Sequence, residues 1–302
     1  ATQDVTIDGW RITSVPVDKQ SVMTAISEMG YRVGTLAAGA GALLLADRYG
    51  WRSAYLCMAA LMTVGAISAF VAPEPKSDIT ASQEHPGFVA TVVAPIKEMV
   101  TRLGPLALPI LLMIAGFRMP GYISSAMAFP LFKSLDYSDT DIATVTKLFG
   151  FWVALGATFF SAYIIRRIGL MPSLLLGTVA GSASHLSLAW LSASGGGGFW
   201  IFAVAVSIEG FAYAFAQVVL INYMSSLTAT ELAASQYALL TSLCALPGSL
   251  LAGTSGFIIA RTGFTMFFVL TSLIGIPVAA LCWYVSRLHA DVTPDPERHG
   301  ST

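Results

Sequence analysis

Eight apolar runs separated by short polar turns dominate this sequence and leave it few ways to fold. They lie at residues 21–46, 54–72, 105–130, 142–165, 172–193, 199–227, 235–260 and 264–286. Each approaches or exceeds the ~20 residues that a helix, rising about 1.5 Å per residue, needs to cross a hydrocarbon core of roughly 30 Å. Residues 1–10 read as the exit end of one more such helix. Charged residues make up 11% of the chain against 55% hydrophobic, and the mean hydropathy is +0.72. So few charges cannot cover a soluble globule of 302 residues, which makes the fold all-α, polytopic and lipid-embedded. A formal net charge of -1 gives no basic excess to track a phosphate backbone, so nucleic acid is excluded as a partner. Cys57, Cys244 and Cys282 sit inside apolar runs without CxxC or Cys/His spacing and read as small hydrophobes.

Two segments break the pattern. Within the polar stretch 73–104, Phe88, Val89, Val92, Val93, Ile96, Met99 and Val100 recur at spacings of three to four, as in an amphipathic helix lying on a membrane surface. Residues 288–302 are polar and read as a disordered tail. The N-terminal ATQDVTIDGWR lacks an initiator Met and the apolar core of a signal peptide, so it reads as an internal boundary.

An ungapped shift of 214 residues superimposes Gln3 on Gln217, Val5 on Val219, Ser21 on Ser235, Gly34 on Gly248 and Gly39 on Gly253, with Asp8 falling on Asn222. Parallel repeats of this kind are the two halves of major facilitator carriers. The repeat predicts about 110 further residues ahead of Ala1, carrying three helices and most of a fourth in a 6+6 arrangement. Residues 1–72 are then the end of helix 4 with helices 5 and 6, residues 73–104 a cytoplasmic linker, residues 105–287 the second six-helix half and residues 288–302 the tail. With both termini cytoplasmic, the inner connections at 11–20, 73–104 and 166–169 and the tail, with Arg287 just before it, hold nine Lys and Arg against four outside, as the positive-inside rule asks. The SGGGG run at 194–198 reads as a flexible periplasmic turn.

Ionisable side chains at membrane depth are costly and mark a functional path. Asp4, Asp8 and Arg11 share one face of the first helix. Two carboxylates one turn apart in a low dielectric resist ionising together, which suits a proton-carrying site, with Arg11 as a gate residue. Glu28 and Arg32 form an i, i+4 pair: Glu28 reads as structural and the deeper Arg32 as a cavity residue. Gly30, Gly34, Ala38 and Ala42 form a small-residue stripe for close helix packing. Arg118 stands beside Gly116, Pro120 and Gly121, where the helix is expected to break, and its fork suits a substrate carboxylate or phosphate. Lys147 is a further substrate candidate able to snorkel to the interface. Glu209 has no sequence-local cation and is a proton-coupling candidate, whereas His185 is expected to make a core hydrogen bond. Gln217 and Asn222, the repeat mates of Gln3 and Asp8, join the substrate candidates, and Arg166 and Arg167 in RRIG join the gate. No GxxxxGK[ST] loop, HExxH, GxSxG or metal-spaced His/Cys cluster occurs, so neither enzyme chemistry nor a cofactor is expected.

ATQDVTIDGWR at 1–11, GYRVG at 30–34, TELAASQYALLTSL at 230–243 and GTSGFIIARTGF at 253–264 together resemble the AmpG-like muropeptide permeases of the major facilitator superfamily. RRIG at 166–169 also resembles the superfamily's loop 8–9 motif without its usual acid. The resemblance implies a proton-coupled importer of anhydro-muropeptides in the bacterial inner membrane, acting in peptidoglycan recycling. It places Asp4, Asp8, Arg11, Arg32, Glu209, Gln236 and Tyr237 on motif positions. Met119-Pro120-Gly121 departs from the Gly-Asp pair that the family tends to carry after the arginine, which leaves a carrier for another anionic solute, an organic acid or an acyl-CoA-like molecule, as the alternative. A receptor or scaffold that keeps the fold without transport is the reading from a different class.

Overall fold

The computed structural model describes residues 2–16, 19–72, 88–229 and 232–292, and all its regular elements are helical. Helix α1 spans Thr2–Ser14 and α2 spans Gln20–Leu36. A π-helical turn at Ala37–Gly41 leads from α2 into α3, Ala42–Val71, which bends at Gly50, where φ is 79°. The linker helix α4 is Phe88–Leu103. The second half follows with α5 (Ala107–Phe117), α6 (Met119–Ser134), α7 (Asp139–Ala143), α8 (Gly150–Ile168), α9 (Leu170–Ala183), α10 (His185–Ala193), α11 (Phe199–Ser226), α12 (Ala233–Ala252) and α13 (Ser255–Val292).

Among the described residues, six helical stretches are long and apolar enough to cross a membrane: Arg48–Val71, Val93–Ser134, Thr140–Ile168, Leu170–Ala193, Phe199–Ser226 and Ser255–Leu288. The remaining two expected spans, 21–46 and 235–260, are also helical in large part, through α2 and α12. They are the more polar pair because they carry side chains that meet at the site described below.

Three backbone features shape the second half. Arg118, at φ -90° and ψ -6°, separates α5 from α6, with Pro120 just inside the new helix, so the chain bends where Arg118-Met119-Pro120-Gly121 suggested. Ser184 separates α9 from α10. Gly263, at φ 74°, bends α13.

Most of the core lies among these later helices, with Ile12 of α1 and Met99 of α4 joining it. Ile110, Met113 and Ile114 of α5, Leu174 of α9, Val219, Leu220 and Tyr223 of α11, and Leu240 and Cys244 of α12 interlock in one cluster. A second cluster, with Phe132, Phe202, Phe267 and Phe268, closes the opposite end. Helix α1 packs on α12, and α2 packs on α8 and α11, so the first half leans on the second along a seam.

Several expectations change. Helix α1 runs to Ser14, so Arg11 is a helical residue only 3% exposed and not a cation of an aqueous connection. The SGGGG run is a built turn: Gly195, Gly196, Gly197 and Gly198 take φ of 64°, 96°, 61° and 90°, and the Tyr137 hydroxyl donates to the Gly196 carbonyl. A Cβ added at Gly30 or Gly34 meets no atom within 4 Å, so among the described residues this glycine stripe packs against nothing. Helix α4 is present as predicted, and Pro95 and Met99 are buried while Val93, Ile96 and Val100 stay open. The side chains of Phe88, Val89 and Val92, and the tail beyond residue 292, lie outside the described residues. Cys57 is exposed on α3, while Cys244 and Cys282 are buried in the core cluster.

Candidate functional site: a polar seam between the halves

The seam is built where the end of α1, the start of α2, the end of α11 and the start of α12 converge. Arg11 donates from Nη1 to Thr24 Oγ1 at 2.7 Å and from Nη2 to Ser225 Oγ at 3.0 Å. Its Nε lies 3.5 Å from Asp8 Oδ1, and its guanidinium sits 5.5 Å from the centre of the Tyr237 ring. Thr24 passes the network on by donating to Asn222 Oδ1 at 3.3 Å, and Asn222 donates to the Val218 carbonyl at 2.8 Å. Arg11, Thr24, Asn222, Ser225 and Tyr237 are all buried. A buried guanidinium persists only when its donors are used, and these partners use them.

Arg11 and Ser225 stand 214 residues apart, the offset of the internal repeat. Gly9 belongs to the same contact, because a Cβ placed there would come 2.8 Å from Ala234 Cβ. Only glycine lets α1 and α12 approach this closely.

Further along α2, Glu28 and Arg32 continue the face begun by Thr24 at four-residue steps. The charged groups around half-buried Glu28 are Arg32, Arg11, Asp8 and Arg118, drawn from α1, α2 and the α5–α6 bend. Glu28, expected as a local structural partner, thus faces the seam. Arg118 donates from Nη2 to the Tyr213 hydroxyl at 3.0 Å and lies 5.0 Å from the Tyr122 ring centre. The Nε atoms of Arg32 and Arg118 are buried without a hydrogen-bond partner. Both guanidinium groups thus keep a donor to spare, and the Arg118 group also lies against the Tyr122 ring.

A second polar column runs inside the C-terminal half. Glu209, Tyr213 and Gln217 lie on one face of α11. His185 Nδ1, at the start of α10, comes within 4.0 Å of Glu209 Oε1. It has no hydrogen-bond partner although His185 is only 2% exposed. Among the described residues, the core hydrogen bond expected of His185 is therefore not made through Nδ1. A cavity of about 30 Å³ lies between His185, Arg118, Tyr213 and Gln217.

The other expected residues fall elsewhere. Gln236 is fully buried and spends its amide on the Ala229 N–H (2.7 Å), the Pro95 carbonyl (3.1 Å) and Glu98, so in this conformation it clamps α4 onto α12 and is closed to a solute. Lys147 is exposed on the π-helical turn Thr144–Phe149. Arg166 and Arg167 are exposed at the end of α8. Asp4 is on α1, with its side chain outside the described residues. The partners that sequence reasoning missed are Thr24, Ser225, Tyr122 and Tyr213. Thr24, Tyr122 and Tyr213 stand four residues from residues already singled out, and Ser225 stands 214 residues from Arg11, the offset of the repeat.

A lipid-embedded helical protein whose early and late helices meet across a buried polar seam has the build of a membrane carrier. The chain belongs to the Major Facilitator Superfamily, whose family model matches residues 5–253. It is therefore a multi-pass secondary transporter of the bacterial inner membrane and not an enzyme. It is similar to a "Putative transporter AmpG 4" of Rickettsia conorii, 28% identical over 95% of this chain and 69% of that one. It is similar also to the "Anhydromuropeptide permease" of Escherichia coli, 25% identical over 92% of this chain and 56% of that one. An "Uncharacterized protein" of Haemophilus influenzae is 25% identical over 95% of this chain and 69% of its own length.

Proposed function

We propose that this carrier imports an anionic sugar–peptide of the anhydro-muropeptide class together with protons. The observation that carries the reading is the Arg118 site, where a guanidinium at a helix break, with Nε unpartnered, lies between Tyr122 and Tyr213. A guanidinium fork suits a peptide carboxylate, and flat aromatic faces suit the apolar face of a sugar ring. The names of the relatives from Rickettsia and Escherichia support the same class. Arg32 would supply the second positive charge.

Glu209 with His185 forms the candidate coupling pair, because a carboxyl and an imidazole 4.0 Å apart at membrane depth need only a small side-chain rotation or one bridging water to pass a proton. The Arg11 seam would be the cytoplasmic gate, closed here. Replacing Glu209 by Gln removes the titrating group and keeps the shape. Glu209→Gln should lose proton-driven accumulation of labelled anhydro-muropeptide while keeping counterflow exchange, and Arg118→Gln should weaken binding itself. Normal accumulation by Glu209→Gln under a proton gradient would remove the coupling role. Undiminished binding by Arg118→Gln would remove the substrate class.

A further inference from the structure

We propose that the groove between α2 and α8 is a binding site for an anionic phospholipid, with its headgroup held by Lys19, Arg166 and Arg167. Two adjoining cavities, of about 530 Å³ and 400 Å³, share Val22 and Arg166 as lining residues. Arg166 and Arg167 stand in the last turn of α8, and Lys19 is the residue that starts α2, so three cations collect at one end of the groove. Among the described residues, no acidic side chain lines either cavity. No acid occupies the first turn of α2 either, and Lys19 makes no capping bond there.

Below the cations the walls turn apolar. Val22 and Ile26 of α2 and Phe159 and Tyr163 of α8 are 37%, 52%, 48% and 53% exposed, and they continue the groove from Arg166 for about 10 Å along the helix at 1.5 Å per residue. The Arg167 guanidinium lies 5.3 Å from the centre of the Tyr163 ring, which holds it over the groove. Cations at one end and an open apolar channel at membrane depth match a phosphate headgroup above an acyl chain. A free anion would satisfy the cations and leave the apolar walls bare. An uncharged lipid would do the reverse.

The site has a consequence for the carrier, because α2 belongs to the first half and α8 to the second. A headgroup bridging Lys19 to Arg166 and Arg167 ties the halves at the end where Arg11 also joins them. The lipid therefore favours the state closed at that end.

The test is native mass spectrometry of the purified carrier titrated with phosphatidylglycerol or phosphatidylcholine, alongside the Lys19→Gln/Arg166→Gln/Arg167→Gln variant. Arg287→Gln, which removes an exposed cation of α13, serves as control. Wild type and the control should retain phosphatidylglycerol at about tenfold lower lipid concentration than phosphatidylcholine, and the triple variant should lose that preference. The variant's melting temperature in phosphatidylcholine should equal that of wild type, which excludes misfolding as the cause. Equal retention of phosphatidylglycerol by the triple variant overturns the proposal. So does stabilisation of wild type by millimolar inorganic phosphate to the same extent as by phosphatidylglycerol, since the site would then bind a free anion.

Discussion

Replacing Arg11 by Gln should open the seam. Arg11 holds α1 to α2 and α11 through two charged hydrogen bonds, at 2.7 and 3.0 Å. Bonds of this type contribute about 1.5–3 kcal/mol each. The lower figure applies here, because both hydroxyls keep another partner: Thr24 donates to Asn222, and Ser225 donates to the Ile221 carbonyl at 2.8 Å. The bond to Ser225 exists only while the halves are together at this end. Losing the Ser225 bond costs the closed state about 1.5 kcal/mol, a shift of roughly 10-fold toward the open state, whereas the bond to Thr24 joins α1 to α2 and weighs on both states alike. Arg11→Lys keeps the charge without the fork and should lie between the two. Spin labels at exposed Pro16 and Ser226, one on each half, report the separation by pulsed distance measurement in proteoliposomes. The distribution should move to longer distances in Arg11→Gln and partly in Arg11→Lys. An unchanged distribution in Arg11→Gln would refute the reasoning, because the buried bonds would then not hold the gate.

Three further outcomes follow from single contacts. A Cβ at Gly275 would fall 1.8 Å from Ser182 Oγ, so Gly275→Ala must push α13 from α9 at a cost of about 1–3 kcal/mol, read as a lower melting temperature. Gln236→Ala strips the Ala229 N–H and the Pro95 carbonyl of their partner and should speed amide exchange across α4 while leaving α5 and α11 protected. Tyr137→Phe removes the hydroxyl bond to Gly196 and should destabilise the glycine turn by about 1 kcal/mol. Burial and then the nearby Asp141 raise the Tyr137 phenol above its ordinary value of 10.0. The native state then holds the proton longer than the unfolded chain, so this group's stabilisation is complete below pH 10 and is lost as pH rises through the folded value. That alkaline loss should be smaller in the Phe variant.

The membrane-spanning architecture was legible in the chain because lipid imposes it. Twenty-residue apolar runs have to be helices, and short polar turns such as RRIG have to join antiparallel neighbours. The break at Arg118 was legible because Pro120 cannot continue the ladder of α5. The family match over residues 5–253 agrees with the carrier class read from these runs. Depth along a helix is countable from sequence, so Arg32, Arg118 and Glu209 stood out as charges out of place, whereas the burial of Arg11 did not.

What the sequence could not give is which face meets which. Glu209 has no cation within a turn of α11, yet His185 reaches it from another helix, and only the bend at Ser184 positions that imidazole. Gln236 and Tyr237 are chain neighbours on similar footing in the sequence, but one clamps α4 and the other stacks on Arg11. Glu28 belonged to Arg32 by spacing and to a four-charge seam by packing. The sequence determined the helices, their order and their membrane, because those depend on local polarity and length. Tertiary structure alone decided the partners, because a buried polar group takes its role from whichever donor or acceptor the packing of other helices brings within about 3 Å.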